Sequence, residues 1–328
     1  MNPKILSDIK SQCKVFLQRT IKAIAVSAWK RNILNLFYLK LNGAQRHIFY
    51  KLFAKIFRDT DLHADGGTWQ IYFADEKILI PLTSELFWLD WDISVSIVAH
   101  DLEVKETYET ILSSSVSKPD LFVDIGANYG THSLLFLMKG IDTITFEPNK
   151  LCHDYFKQMC DYNHVSPTLE KVALGENNGY VNLVYPKKDT WNGSTNTNFI
   201  PGLVDRCSVS EDLVTEQVNQ SRLDDYFARF SGKKTLMKID TEGNELSVLM
   251  GGKEILTAVQ PTIVFECMPK RDLRTKIFDF FLSEDYLVYQ LPWNPETSSL
   301  PMDCDRFLED RATNFIAVSK HSSFSSKD

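Results

Sequence analysis

The chain has 328 residues, 44% of them hydrophobic, enough for one large domain with additions. Its net charge of −7 is unevenly spread: residues 1–58 hold twelve Lys or Arg against one acid, Asp8, which leaves +11 there and −18 on the remainder. An acidic body excludes nucleic acid as the main substrate, because phosphate binding needs a basic face beside the site.

The first elements are helical. Apolar residues recur at helical spacing from Ile5 to Ala28, again from Ile33 to Leu41, and a third time from Phe49 to Phe57, with Gly43 expected to stop the second run. These helices are basic on one face. They read as a helical cap or as an arm that attaches peripherally to an anionic membrane or docks a partner. The uncharged stretches Ala23–Trp29 and Asn32–Leu39 are too short to span a bilayer. Residues 68–82 predict a hairpin turning at Asp75-Glu76, and a helix is expected from His100 to Leu112, with Ser113–Pro119 as a linker. The organisation is thus a basic region over 1–58, a lead-in over 59–118, a main domain over 119–320 and a serine-rich, disordered tail over 321–328.

From Leu121 onward strands and helices alternate. Strands are expected near 121–125, 142–147, 168–174, 234–240, 261–266, 285–290 and 313–319, and helices near 130–139, 150–162, 221–230, 245–257 and 270–283. Such alternation gives an α/β fold with a doubly wound, mostly parallel sheet. The last strand has no helix before it and is expected to run antiparallel. Residues 186–220 lack periodicity, and Trp191–Asn196 lies in a loop long enough to be suspected of function. The six cysteines, Cys13, Cys152, Cys160, Cys207, Cys267 and Cys304, form no C-x-x-C pair and read as reduced thiols of a cytoplasmic protein.

Chemistry concentrates at the strand ends. The first strand runs into Asp124-Ile125-Gly126-Ala127-Asn128-Tyr129-Gly130, and Glu147 follows Gly130 by seventeen residues at the end of the second strand. A glycine turn lets main-chain amides approach a ligand, and a carboxylate at that distance grips two ribose hydroxyls, so the pair describes a nucleoside site. A dinucleotide site would want G-x-G-x-x-G; here Asn128 takes the place of the second glycine. A polar wall there, with Asp124 supplying negative charge, suits a ligand whose tail is an amino acid. That favours S-adenosylmethionine (SAM) over NAD. Asp240 and Glu266 end two further strands, and Asp240-Thr241-Glu242-Gly243 opens the next helix. Asp240, Glu242, Glu266 and His132 are the candidates to take a proton from a hydroxyl acceptor. The carboxylates could instead hold Mg²⁺, but direct acid–base action is the reading adopted, with no metal assigned. Glu245 reads as a first-turn residue favoured by the helix dipole.

The motifs V-D-I-G-A-N-Y-G-T-H-S, T-F-E-P-N, V-A-L-G, S-R-L-D-D-Y-F, K-I-D-T-E-G-N-E-L-S-V-L-M-G-G and P-T-I-V-F-E, in order from Asp120 to Tyr289, resemble the FkbM family of SAM-dependent methyltransferases. The resemblance implies a class I methyltransferase (Rossmann-like) fold with an antiparallel seventh strand, and methylation of a hydroxyl on a sugar, glycan or secondary-metabolite acceptor. It implies that Asp124, Gly126, Ala127, Asn128 and Gly130 form the SAM loop and Glu147 the ribose acid, with Pro148 next to the adenine. Val172-Ala173-Leu174 would line the adenine edge, and Asp240, Glu242 and Gly243 match the family's K-I-D-x-E-G signature. Its glycine–serine loop is similar to Trp191–Asn196. The basic N-terminal region has no counterpart. Alternatives are N-methylation, a non-catalytic SAM-binding scaffold that docks through the basic helices, and a NAD-dependent oxidoreductase.

Overall fold

A computed structural model describes residues 3–58, 60–83, 85–187, 191, 193–196, 213–297 and 300–321. Cys207 and almost all of the serine-rich tail lie outside them. The chain forms two compact units, one of residues 1–105 with 161–164 and one of residues 106–160 with 165–328.

The first unit contains helices α1 (Pro3–Ala25), α2 (Ala28–Tyr38) and α3 (Gly43–Phe53), the last running into a 3₁₀ turn at Ala54–Phe57. Gly43 does not stop α2, as expected from the sequence, but begins α3. The Asn42 side chain accepts the Gln45 N–H at 2.9 Å while the Gln45 side chain accepts the Asn42 N–H at 3.0 Å, a reciprocal cap that fixes the start there. The hairpin forms from β1 (Thr68–Phe73) and β2 (Glu76–Pro81). It turns one residue earlier than expected, at Ala74-Asp75, whose φ values of 46° and 67° match the twist of a two-residue loop. Helix α4 (Phe87–Ser96) was not expected at all. Every residue in it except Trp88 is buried, so it shows no polar face for a sequence reading to find. Trp69 and Trp91 are fully buried with ring centroids 5.2 Å apart, and the Trp91 indole N–H donates to the Phe53 carbonyl at 2.8 Å. Helix α5 (Leu102–Ser113) falls where a helix was expected.

The second unit is built on a seven-stranded sheet in the order β11-β12-β10-β9-β3-β4-β5. The strands are β3 (Leu121–Ile125), β4 (Asp142–Phe146), β5 (Thr168–Glu170), β9 (Thr235–Ile239), β10 (Thr262–Glu266), β11 (Tyr286–Gln290) and β12 (Asn314–Ser319). β12 runs antiparallel to both neighbours, and the inner strands are parallel. Order reverses at β3, with β4 on one side and β9 on the other. This is the doubly wound class I methyltransferase arrangement with an antiparallel last strand. β3 and β9 are buried at every position, and each reads as an apolar run interrupted by one charged residue, Asp124 and Lys238. Helices α6 (Thr131–Met138), α7 (Lys150–Tyr162), α8 (Glu245–Met250), α9 (Lys253–Ala258), α10 (Arg271–Ser283) and α11 (Cys304–Glu309) complete the unit.

Several expected elements divide. The strand expected over 168–174 is two: β5 in the main sheet, and β6 (Ala173–Leu174), which pairs with β8 (Leu213–Ser221) in a separate sheet with β7 (Gly179–Pro186). β8 is mostly polar, Glu216, Gln217, Asn219 and Gln220 among its residues, and so hid within the stretch that lacked periodicity. The helix expected over 221–230 is a 3₁₀ helix, Leu223–Arg229. The helix expected over 245–257 breaks at Gly251-Gly252, where a Cβ on Gly251 would stand 2.0 Å from the Gly175 carbonyl oxygen. This contact joins the M-G-G and V-A-L-G motifs. The Asp224 side chain of S-R-L-D-D-Y-F accepts the Ile255 N–H at 3.1 Å and holds the start of α9. A short helix, α11, does precede the last strand.

Candidate active site

The first loop is shaped by its approach to β9. Gly126 has φ +77°, and a Cβ there would lie 1.9 Å from the Asp240 carbonyl oxygen, so only glycine lets the two strand ends meet. The Asp240 N–H in turn donates to the Ile125 carbonyl at 3.0 Å. Asn128 has φ +51°, a left-handed conformation that asparagine tolerates better than other side chains, which gives a backbone reason for its place in the glycine pattern. Its Oδ1 accepts the Tyr129 N–H at 2.9 Å.

Asp124 is buried within β3. Its Oδ2 accepts the Ser133 N–H at 3.0 Å and the Ser133 hydroxyl at 2.7 Å, and Thr145 donates to that hydroxyl at 2.8 Å. Oδ1 is buried without a partner. Burial raises the Asp124 pKa, against the pull of the Lys238 charge and the Ser133 bonds. An unpartnered buried carboxylate oxygen is costly, and an ammonium group placed there would satisfy it.

Glu147 stands one residue past β4 and is also buried. Its Oε2 accepts the Asn128 N–H at 2.6 Å and its Oε1 the Asn149 N–H at 2.7 Å. The glycine loop and the ribose acid of the sequence reading are thus tied together directly. Burial pushes the Glu147 pKa up to about 7, while the two amides hold it down.

A second group gathers at the ends of β9 and β10. Asp240, Glu242 and Glu266 each offer a carboxylate oxygen within 4.8 Å of the others, a cluster met once among the described residues. Glu242 sits in the left-handed region at φ +52°, at a tight turn. The Lys238 Nζ, almost fully buried, donates to Asp240 Oδ2 at 2.7 Å. Glu266 has its pKa raised well above the usual range by burial and then by the charges of Asp240 and Glu242. Glu245 is more than a first-turn residue favoured by a dipole. Its buried Oε1 accepts the Thr241 N–H and hydroxyl, both at 3.0 Å, and the Gly243 N–H at 2.9 Å, fixing the turn that carries Glu242.

The segment resembling a glycine–serine loop meets this turn. Ser194 donates its hydroxyl to the Glu242 carbonyl at 2.8 Å and Asn196 donates Nδ2 to the Gly243 carbonyl at 2.6 Å. Trp191 stands edge-on to Tyr129 of the glycine loop, ring centroids 5.3 Å apart. Asn192 lies outside the described residues. Pro148 is half-buried beside Glu147; Val172 packs on the core and Ala173 is buried in β6. His132 lies outside the group of three carboxylates. It lies in α6 with Nδ1 3.2 Å from the Tyr108 hydroxyl, its ring edge-on to the Tyr108 ring. Sequence reasoning missed Lys238, whose position inside an apolar strand was the available signal, since a lysine buried there needs a carboxylate partner.

The donor set fits SAM. Asp124 Oδ1 suits the amine and Glu147 the ribose. No helix among the described residues is long and apolar enough to cross a membrane. Cys13, Cys152, Cys160, Cys267 and Cys304 are free thiols.

The fold is similar to several solved methyltransferases, all distantly. The structure of Methyltransferase FkbM from Methylobacillus flagellatus KT shares 14% identity over 71% of this chain and 54% of that one, with a TM-score of 0.39. Precorrin-6y C5,15-methyltransferase from Geobacter metallireducens GS-15 shares 13% over 67% and 88%, TM-score 0.33. The T. thermophilus 16S rRNA N2 G1207 methyltransferase, in complex with AdoMet and guanosine, shares 7% over 79% and 52%, TM-score 0.38. The chain thus spans about half the length of the first of these, and likenesses this remote carry no weight for its activity. No curated protein matches it. Residues 124–288, half of the chain, match the family profile described as Methyltransferase FkbM domain, and that span holds the glycine loop, Asp124, Glu147 and the whole acidic cluster: the chain belongs to the FkbM family of SAM-dependent methyltransferases.

Proposed function

We propose that the protein is an O-methyltransferase acting on a hydroxyl of a sugar, glycan or small hydroxylated metabolite. In this reading Asp124 and Glu147 hold SAM with the loop Gly126–Gly130, while Asp240, Glu242 and Glu266 face the acceptor. Pro148, Val172 and Ala173 border the adenine. Bound SAM supplies a methyl group on a sulfonium, open to in-line attack. The chain's residues supply the rest: they align the hydroxyl, exclude water and take its proton. Asp240 accepts that proton, Lys238 keeps its carboxylate oriented, and Glu266 is hydrogen-bonded to Asp240. His132, against Tyr108, supports the start of α6 in this scheme. The protein is cytoplasmic and touches a membrane peripherally through residues 1–58.

The observation that carries the proposal is the cluster of three carboxylates within 4.8 Å at the strand ends, one of them paired with a buried lysine. A hydroxyl must lose its proton as it attacks, which gives a carboxylate in this place its use. Metal-free proton chemistry is the reading adopted, since Asp240 already meets the Lys238 cation at 2.7 Å.

The test is incubation with SAM carrying a labelled methyl group and fractionated cell extract, with and without a chelator. Label on a hydroxyl-derived ether, unaffected by the chelator, is the expected product. Label confined to amines would overturn the proposal, and loss of labelling with chelator would overturn its metal-free mechanism.

A further inference from the structure

Two features of the first unit play no part in methyl transfer. Helix α2 buries Arg31, Leu34, Asn35 and Tyr38 and turns its opposite face outward. There Trp29, Ile33, Leu36 and Phe37 stand at i, i+4, i+7 and i+8, between 56% and 65% exposed. Single apolar side chains on a surface need no explanation; four on one face of one helix do. Lys30 and Lys40 flank them, both exposed, with the Lys30 Nζ 5.7 Å from the Trp29 ring.

The second feature is a groove of about 680 Å³ between α1 and the end of α3. Lys14, Arg19, Lys22, Lys51 and Lys55 line it, with Tyr50 and no carboxylate. Five cations around one concavity repel one another unless an anion joins them. Residues 1–58 contain one acid in all.

We propose that this unit docks on a bilayer rich in anionic phospholipid, the α2 face entering the boundary between headgroups and acyl chains and the groove taking lipid phosphates. The proposal gives the peripheral contact named above its face and its lipid chemistry, and it is independent of the acceptor. Charge decides among occupants. A second copy meeting the same face would bring +11 against +11. A nucleic acid would meet the lysines but leave the α2 face in water. An anionic bilayer answers both the apolar face and the groove. Trp and Phe beside lysines is the composition expected at such a boundary.

The test is co-sedimentation of the full chain with vesicles of phosphatidylglycerol in phosphatidylcholine, against vesicles of phosphatidylcholine alone. Binding is expected only to the anionic vesicles, and to fall as salt shortens the Debye length from about 10 Å at 0.1 M. Trp29→Ser/Leu36→Ser and Lys14→Gln/Lys51→Gln/Lys55→Gln are each expected to weaken it at least about tenfold, with helix content and methyl transfer to a soluble acceptor unchanged. Millimolar inorganic phosphate should not release the protein; full release would show that the groove takes free phosphate and overturn the lipid assignment. Equal binding to both vesicle types would also overturn it. So would a dimer in sedimentation that Trp29→Ser/Leu36→Ser converts to monomer while vesicle binding stays intact.

Discussion

Asp240→Asn is expected to lower kcat for methyl transfer to a hydroxyl acceptor by about 10²- to 10⁴-fold, the usual contribution of a positioned general base. The amide is isosteric and can still accept from Lys238, so the turn from Thr241 to Glu245 should keep its shape. That turn is held separately, by Glu245 through three hydrogen bonds. The affinity for S-adenosylhomocysteine should therefore change by only a few-fold. Single-turnover kinetics with a saturating acceptor, beside calorimetric titration of S-adenosylhomocysteine, separates the two quantities. An unchanged kcat would mean that no proton needs to leave in the rate-limiting step, as for an amine acceptor.

The largest effect on stability is expected at Arg274. The side chain is fully buried, and its five N–H groups meet five main-chain carbonyls: Met268 at 3.3 Å, Phe307 at 2.8 Å, Asp310 at 2.6 Å, Cys267 at 3.2 Å, and Ala312. The guanidinium also lies over the rings of Phe307 and Phe315, 5.4 Å and 5.2 Å from their centroids. It thus ties the chain leaving β10 to the segment that joins α11 to β12. Arg274→Met keeps most of the volume but strands the carbonyls, each an unsatisfied acceptor costing about 1–3 kcal/mol when nothing replaces its bond. Some will find water. A net loss of about 3–5 kcal/mol is expected, comparable to removing one side of a buried ion pair. In thermal unfolding that is a drop of roughly 10 °C for a unit of this size. Arg274→Lys, with three donors for five acceptors, should recover only part of it. A loss under about 1 kcal/mol in urea titrations would show that these bonds are replaced by solvent.

How much of this was legible in the sequence depends on burial and on partners. The main sheet could be read because β3, β9 and β10 are mostly apolar runs with a carboxylate at or beside their ends, and the doubly wound order follows from strand–helix alternation. The nucleoside loop could be read because Gly126 needs a conformation and a clearance that no other residue allows. What stayed hidden has a common cause: the deciding partner is distant in the chain. Lys238 is informative only once Asp240 faces it, and Glu245 looks like a dipole-favoured acid until Thr241 and Gly243 fold back onto it. His132, one turn into the loop helix, had a sequence position suited to catalysis, yet its bond goes to Tyr108. α4 escaped because it is buried all round, and β8 because it is mostly polar. Gly43 was read as a stop because glycine punctuates helices at both ends, and only the Asn42–Gln45 cap shows which end it marks.

The assignment of the cofactor cradle is tested most directly by calorimetric titration of S-adenosylhomocysteine into the wild type and Asp124→Asn, at pH 8 and pH 6. The product carries the amine and the ribose that Asp124 and Glu147 are taken to hold. Asp124→Asn removes a buried charge whose Oδ1 has no other partner, and should weaken binding at least about tenfold, the value of a charged hydrogen bond. Glu147 is held up near 7 by burial. Ribose hydroxyls bind its ionised form, so affinity should fall as the pH drops through 7 and binding at pH 6 should release a proton. Weaker binding in the variant and at low pH is the predicted result. Equal affinity for both proteins at both values, or tighter binding of NADH than of S-adenosylhomocysteine, would contradict the account.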